Sequence, residues 1–473
     1  MGRQEGGSGP TGEVPDRAAP LSERSSRTGL LAPERRALTV GLTLTVTLVA
    51  AESLAVVTIM PLVTGDLGGL RLYGWVFSAF LLGSMVGIVA AGRQADRSGP
   101  AKPYVFGLVI FAVGLALAGT APTMAVLVAG RLLQGLGAGA VPAVAYVAIG
   151  RAFPEGLQAR MMAVLSTAWV VPGIVGPLAS VAVAHVFGWR WVFLGLLPLV
   201  AATGVLALPG LVGLGRPPVP PEVEHRMSDA VRVAVGTACL LGGLTARPWP
   251  VAVGLVVVGA LVAVPSLNRL LPSGSLRARS GLPATILSRG LLTFAFFGAD
   301  AFVTLAIVMV RHHSLAVAGG AVTASTLAWT VGSWIQARFD KRWEGRRLVR
   351  LGLALNLAGI AGMLLVLQPD VPVAVAVGAW ATAGLGMGLS YAPTTLMMLH
   401  HAPEGREGWA SASLILSDVL GAALGAGFGG AAIAIGAVHG WSLSTSLAIA
   451  FALPGTVAVV GLLLSGRLPS RFD

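Results

Sequence analysis

Glu52, Arg131, Asp300 and Asp418 each sit inside a long apolar stretch of the chain. A charge at membrane depth costs a few kcal/mol or more, so such a group persists where it pairs, binds or carries a proton. A carboxyl held there can take a proton from one side of a membrane and release it on the other. An arginine beside it can tune that exchange. The set therefore points to movement of something across a membrane. Two plainer readings stay open. Glu52 and Arg131 can form a permanent salt bridge between two helices, and Asp300 and Asp418 can be packing residues hydrogen-bonded to Ser or Thr. Trp169, Trp329 and Trp380 lie inside apolar stretches, as does Tyr146. They are candidates to stack on an aromatic or cationic molecule, or simply to fill space.

The elements that must position these groups are read from composition. Of 473 residues, 55% are hydrophobic and 11% charged. A soluble domain carries about 25% charged residues, so the chain falls in the membrane class. The net charge of +12 does not mark a nucleic-acid binder, because the basic residues fall in short segments between apolar spans. The single cysteine, Cys239, excludes an intrachain disulfide framework and a cysteine-based metal site. No Gly-x-x-x-x-Gly-Lys-Ser/Thr phosphate loop occurs, nor a Gly-x-Ser-x-Gly elbow. The His312-His313 and His400-His401 pairs lack a second cluster at metal spacing. No metal, cofactor or catalytic set is expected, and the chain does not read as an enzyme.

Apolar stretches near the bilayer-spanning length of about 20 residues divide the chain into fourteen expected spans. Six form an N-terminal bundle over 37–213: 37–61, 74–92, 104–121, 123–150, 160–186 and 190–213. Two more, 230–246 and 249–271, form a hairpin within a linker region, 214–280. The last six build a C-terminal bundle over 281–466: 289–310, 315–337, 347–367, 371–399, 409–436 and 441–464. Residues 1–36, polar and rich in Gly, Pro, Ser and Arg, read as a disordered cytoplasmic tail, and 467–473 as a second tail. With the N-terminus inside, 27 of the 32 Arg and Lys residues fall in cytoplasmic segments, as the positive-inside rule requires. Dropping the short 230–246 span would invert every later loop. Trp75, Trp189, Trp191, Trp249 and Trp441 fall at outer edges, as interfacial aromatics do. Both termini are expected on the inner side of a cytoplasmic membrane, in a protein of bacterial type.

Three segments carry a resemblance. Gly92-Arg-Gln-Ala-Asp96-Arg97-Ser-Gly99-Pro-Ala-Lys102 resembles the Gly-x-x-x-Asp-Arg-x-Gly signature of the major facilitator superfamily, with departures at Gln94 and Pro100. The family places this segment in the loop after its second span, where the Asp and the loop arginines latch the cytoplasmic side. A carboxylate against a helix N-terminus is worth about 0.3–1 kcal/mol, a breakable contact. Arg131-Leu-Leu-Gln134-Gly135-Leu-Gly137-Ala-Gly139 looks like the Arg-x-x-Gln-Gly motif of proton-coupled members. Trp169-Val-Val-Pro172-Gly173-Ile-Val-Gly176-Pro177 resembles the Gly- and Pro-bearing antiporter motif of drug:proton exporters, in which a bend favours exchange. Span one, with Glu52, Thr58 and Pro61, is loosely similar to a signature of fourteen-span exporters.

Arg131 lies roughly 12 Å below the outer edge of span four, and Glu52 roughly 13 Å below Pro61, at 1.5 Å per residue. Their depths match, so they can pair. The resemblance implies an all-α membrane protein: two pseudo-symmetric six-helix bundles with a two-helix insert. It implies export of amphipathic small molecules or drugs by alternating access, coupled to protons, by a monomeric protein. In this reading Glu52 carries the proton, Arg131 tunes it, and Asp300 and Asp418 bind a cationic substrate or a second proton. Export of a lipid or siderophore-like metabolite, or a non-transporting scaffold or sensor, are the alternatives.

Overall fold

A computed structural model of the chain describes residues 29–215, 226–339, 344–404 and 406–469. Within them the backbone is helical, as it must be where no water is present to satisfy peptide groups. The first bundle contains α1 (Pro33–Leu67), α2 (Tyr73–Ser98), α3 (Ala101–Gly119), α4 (Met124–Ala152), a broken pair α5 (Glu155–Thr167) and α6 (Val170–Phe187), and a second pair α7 (Arg190–Leu194) and α8 (Leu197–Gly213). The hairpin is α9 (Arg226–Gly243) and α10 (Trp249–Leu270). The second bundle holds α11 (Leu282–Leu305, continued by a π-turn over Ala306–Val310), α12 (Leu315–Phe339), α13 (Gly345–Val366), α14 (Ala374–His401), α15 (Glu407–His439) and α16 (Leu443–Leu464).

Thirteen of these spans are long and apolar enough to cross a membrane. The fourteenth, α9, is shorter and carries Asp229 and Arg232 in its first turns. It packs along its whole length on α10, and also touches α2 and α15, one helix from each bundle. The insert therefore straddles the seam between the bundles.

Ends are set locally. Thr123 and Ser442 cap α4 and α16 by accepting from Val126 N and Thr445 N. Gly99, at φ 83°, closes α2. Residues 1–28, most of the expected disordered tail, lie outside the described residues, as do 216–225 of the linker and 470–473. The remainder of the first tail differs from expectation. Helix α1 begins at Pro33, where proline suits the first turn, and Thr39 Oγ1 donates to Leu30 O at 2.8 Å.

The two bundles repeat the same pairings. In the first, α4 packs on α2 and α3, and α1 packs on α6 and α8; in the second, α14 packs on α12 and α13, and α11 packs on α15 and α16. The equivalence reaches individual residues. Gly135-Leu-Gly137-Ala-Gly139 in α4 has a counterpart in Gly384-Leu-Gly386-Met-Gly388 of α14. A Cβ at Gly135 would lie 1.9 Å from Phe80 O of α2, and one at Gly384 2.1 Å from Ser325 O of α12. Small residues at these points let backbones touch, the usual basis of helix association in lipid.

The bundles seal against each other over the half away from the basic loops. Ser78 Oγ donates to Ala423 O at 2.9 Å, and Thr304 Oγ1 to Val57 O at 2.7 Å. Gly74 and Gly430 bring α2 and α15 into backbone contact. At the basic end the bundles part around a cavity of about 720 Å³.

Candidate functional site

Glu52 and Arg131 meet in the first bundle, 1% and 2% exposed. Arg131 Nη1 donates to Glu52 Oε1 and, at 2.6 Å, to Gln134 Oε1; Nε donates to Val76 O at 3.1 Å. The guanidinium also lies 4.2 Å from the Phe80 ring centroid. One side chain thus ties α1, α2 and α4 together. Among the described residues, Glu52 Oε2 and Gln134 Nε2 are buried without a partner. The network is paired but incomplete, and its members do not line the cavity.

Asp300 and Trp380 occupy the matching place in the second bundle. Trp380 stands four residues before Gly384, as Arg131 stands four before Gly135. Trp380 Nε1 donates to Asp300 Oδ1 at 2.8 Å, joining α14 to α11 as Arg131 joins α4 to α1. Phe296 stacks on Trp380 at 5.1 Å and meets Trp329 edge-on at 5.5 Å. Each bundle therefore carries one buried acid on its first helix, held by a donor on its fourth. In one the donor is charged; in the other it is neutral.

The cavity lies on the basic side of both pairs. Asp418 of α15, Tyr391 and Thr395 of α14, Arg289 of α11, and Tyr146 of α4 face it. Tyr391 OH donates to Asp418 Oδ2 at 2.7 Å, and Thr293 Oγ1 holds the Asp418 backbone carbonyl at 2.9 Å. The Arg289 guanidinium sits 3.5 Å from the Tyr391 ring centroid, and its Nη2 donates to Thr395 Oγ1. Arg289 corrects the charge assignment. Counted above among the cytoplasmic loop residues, it lies seven residues inside α11 and is 2% exposed. The expected span began at 289, while the helix begins at Leu282. Tyr391 was also missed; nothing in its local pattern sets it apart.

Of the expected substrate-facing aromatics, Tyr146 lines the cavity. Trp380 is fully buried beneath Phe296, Trp329 is half-buried in the same cluster, and Trp169 is 47% exposed at the break between α5 and α6. Those three stand outside the cavity lining: Trp329 and Trp380 because their cluster fills the second bundle's interior, Trp169 because it lies at the break between α5 and α6.

The expected loop 92–102 is mostly helix. Gly92, Asp96 and Arg97 lie in the last two turns of α2, Gly99 turns the chain, and Lys102 starts α3. Asp96 lines the cavity mouth beside Arg93 and, among the described residues, makes no ion pair. The basic segment after α12 includes 340–343, outside the described residues. In span five, Pro172 lacks the N–H that would bond Ala168 O, and the helix is interrupted at 168–169. Gly173 then abuts Thr326 of α12 across the seam, where a Cβ would lie 2.0 Å from Thr326 Cγ2. Gly176 faces α1 near Ala51 and Leu54, and Pro177 lies inside α6.

Residues 42–426 match the family described as Major Facilitator Superfamily. A probable multidrug-efflux transporter of Mycobacterium tuberculosis is 27% identical over 406 residues, covering 82% of this chain and 85% of its own. A multidrug transporter protein of Bacillus subtilis is 27% identical over 378 residues, covering 77% and 69%. Among solved structures, a POT family transporter in complex with 5-aminolevulinic acid superposes with a TM-score of 0.67 at 14% identity, covering 92% of this chain and 96% of that one. A bacterial homologue of the human lysosomal transporter Spinster, inward-facing and unoccupied, gives 0.57 at 14%, covering 92% and 95%. At that identity the structures speak to the fold alone.

Proposed function

The chain belongs to the major facilitator superfamily, and from that premise we propose that it is a proton-coupled exporter of amphipathic small molecules. The observation that carries this reading is the buried Glu52–Arg131 pair, sealed from the cavity and left with unpartnered polar atoms. Protonation of Glu52 would remove the charge that holds Arg131. The α1–α4 tie would slacken, and α1 also carries Val57 O, the acceptor for Thr304 on the opposing bundle. Proton loading is thereby joined mechanically to the seam. The basic end, taken as cytoplasmic, opens onto the cavity, so this shape loads cargo from inside.

Relatives named for multidrug efflux support small-molecule cargo. The test is transport by protein reconstituted in vesicles, driven by an imposed proton gradient. Wild type should move a fluorescent drug-like dye against its gradient, and Glu52→Gln should not. Equal transport by the variant would remove Glu52 as the carrier. A lipid-like cargo is the second reading, because Met227, Ala230 and Leu270 of the α9–α10 hairpin form part of the cavity wall. Labelled phospholipid that moves under the same gradient, with no movement of dye, would favour it.

A further inference from the structure

Among the described residues, the buried Nε and Nη1 of Arg289 have no partner, and Asp418 Oδ1 is likewise unpartnered. Both side chains face the same cavity, yet they make no direct ion pair. Tyr391 stands between them. Its ring lies under the guanidinium, and its hydroxyl is spent on the Asp418 carboxylate. A cation nine-tenths buried with free donors is costly unless something supplies an acceptor. The protein supplies one, Thr395 Oγ1, and that hydroxyl is neutral.

We propose that Arg289 and Asp418 form a two-pole binding site for amphoteric aromatic molecules. The cargo's acidic group would accept from an unpartnered N–H of Arg289, on Nε or Nη1, and its basic group would donate to Asp418 Oδ1. The apolar remainder of the cargo would lie against Met85, Ile88 and Met398, with the Tyr146 ring available for stacking. A cavity of about 720 Å³ matches a drug-sized ligand. The site extends the exporter reading by naming the cargo's charge pattern, and rests on that reading only for its place in transport. An acidic residue alone would select cations. The arginine makes the site favour a molecule bearing both charges.

The test uses two forms of one dye, a rhodamine with a free benzoate carboxylate and its methyl ester. They share the cationic ring system and differ in the anionic pole. Binding is read by fluorescence anisotropy on the full chain in phosphatidylcholine nanodiscs, with empty discs subtracted and no gradient present. Wild type should bind the free acid about tenfold or more tighter than the ester, the range of a charge-assisted hydrogen bond. Arg289→Gln should bring that ratio close to one while leaving the ester's affinity within about threefold. Asp418→Asn should weaken both dyes. Should Arg289→Gln fail to fold, Arg289→Lys keeps the charge but loses the planar guanidinium with its fixed N–H directions, and its preference should fall below that of wild type. Equal binding of the two dyes by wild type overturns the proposal, as does a variant at Arg289 with undiminished preference. Because no gradient is involved, a failure of proton-driven transport would leave this result standing and would sink the exporter reading alone.

Discussion

Arg131 ties three helices of the first bundle together through one side chain. It holds Glu52, Gln134 and the Val76 carbonyl from one buried position. Removing one partner of such a pair strands the other charge, at a cost of about 3–5 kcal/mol. Arg131→Ala should therefore lower thermal stability sharply. Adding Glu52→Gln to it should give back part of the loss, because the stranded charge is then gone. Simple additivity in a thermal-unfolding cycle would show that the pair is not energetically linked. Trp380 offers a milder comparison. Trp380→Phe keeps a ring against Phe296 but leaves Asp300 Oδ1 without its donor, a loss of about 1–3 kcal/mol. Trp169→Phe, on an exposed side chain, should stay within about 0.5 kcal/mol. Equal losses at the two tryptophans would mean that ring volume, and not the hydrogen bond, is what matters at Trp380. The four charges deep in apolar sequence were legible because hydropathy isolates them. Arg289 was not, because Pro283, Thr285 and Ser288 dilute the start of α11 and move its apparent edge inward.

At the scale of elements, close backbone contact at glycines is one of the things that packs each bundle. Gly135 and Gly384 hold equivalent places on α4 and α14, and neither has room for a methyl group. Because the obstructing atoms are backbone carbonyls of α2 and α12, they cannot rotate aside. Gly135→Ala and Gly384→Ala should each reduce folded yield and thermal stability by similar amounts. Gly378→Ala, on the same α14 with open space around it, should be neutral. A neutral Gly384→Ala beside a damaging Gly135→Ala would mean that the equivalence stops at the backbone. The repeat was present in the sequence as two Gly-Leu-Gly-x-Gly runs. It is hard to see there because glycine is abundant, with 64 residues, and because only the structure reveals that the residues four places earlier, Arg131 and Trp380, each hold an acid on the first helix of their bundle. The break in span five was readable from Pro172, since a missing N–H has a fixed consequence for the backbone. The contact that it prepares, Gly173 on Thr326, joins different bundles and has no local signal.

For the whole molecule, the decisive feature is that the two bundles are sealed at one end and parted at the other. The seal includes the buried Ser78–Ala423 hydrogen bond, in a region where further contact comes from close backbone approach at Gly74 and Gly430. The parted end exposes Tyr146 and Asp418. In a background with Cys239 replaced by Ser, a cysteine at Tyr146 should react with a membrane-impermeant maleimide supplied from the side of the basic loops, and one at Ser78 should not. Removing the Ser78 hydroxyl biases the balance between this shape and one opened at the other end. Ser78→Val leaves Ala423 O to the helix alone and forfeits about 1 kcal/mol of seam energy. That amounts to about a fivefold change in the ratio of the two shapes. If the two shapes are close in energy, a shift of that size is large enough to read. Labelling at position 146 from the basic side should slow in the Ser78→Val protein. Gly378→Ala, far from the seam, should leave it unchanged. An unchanged rate in Ser78→Val would place the energy that holds this shape in other seam contacts, such as Thr304 on Val57 O, Gly173 on Thr326 and Gly74 on Gly430.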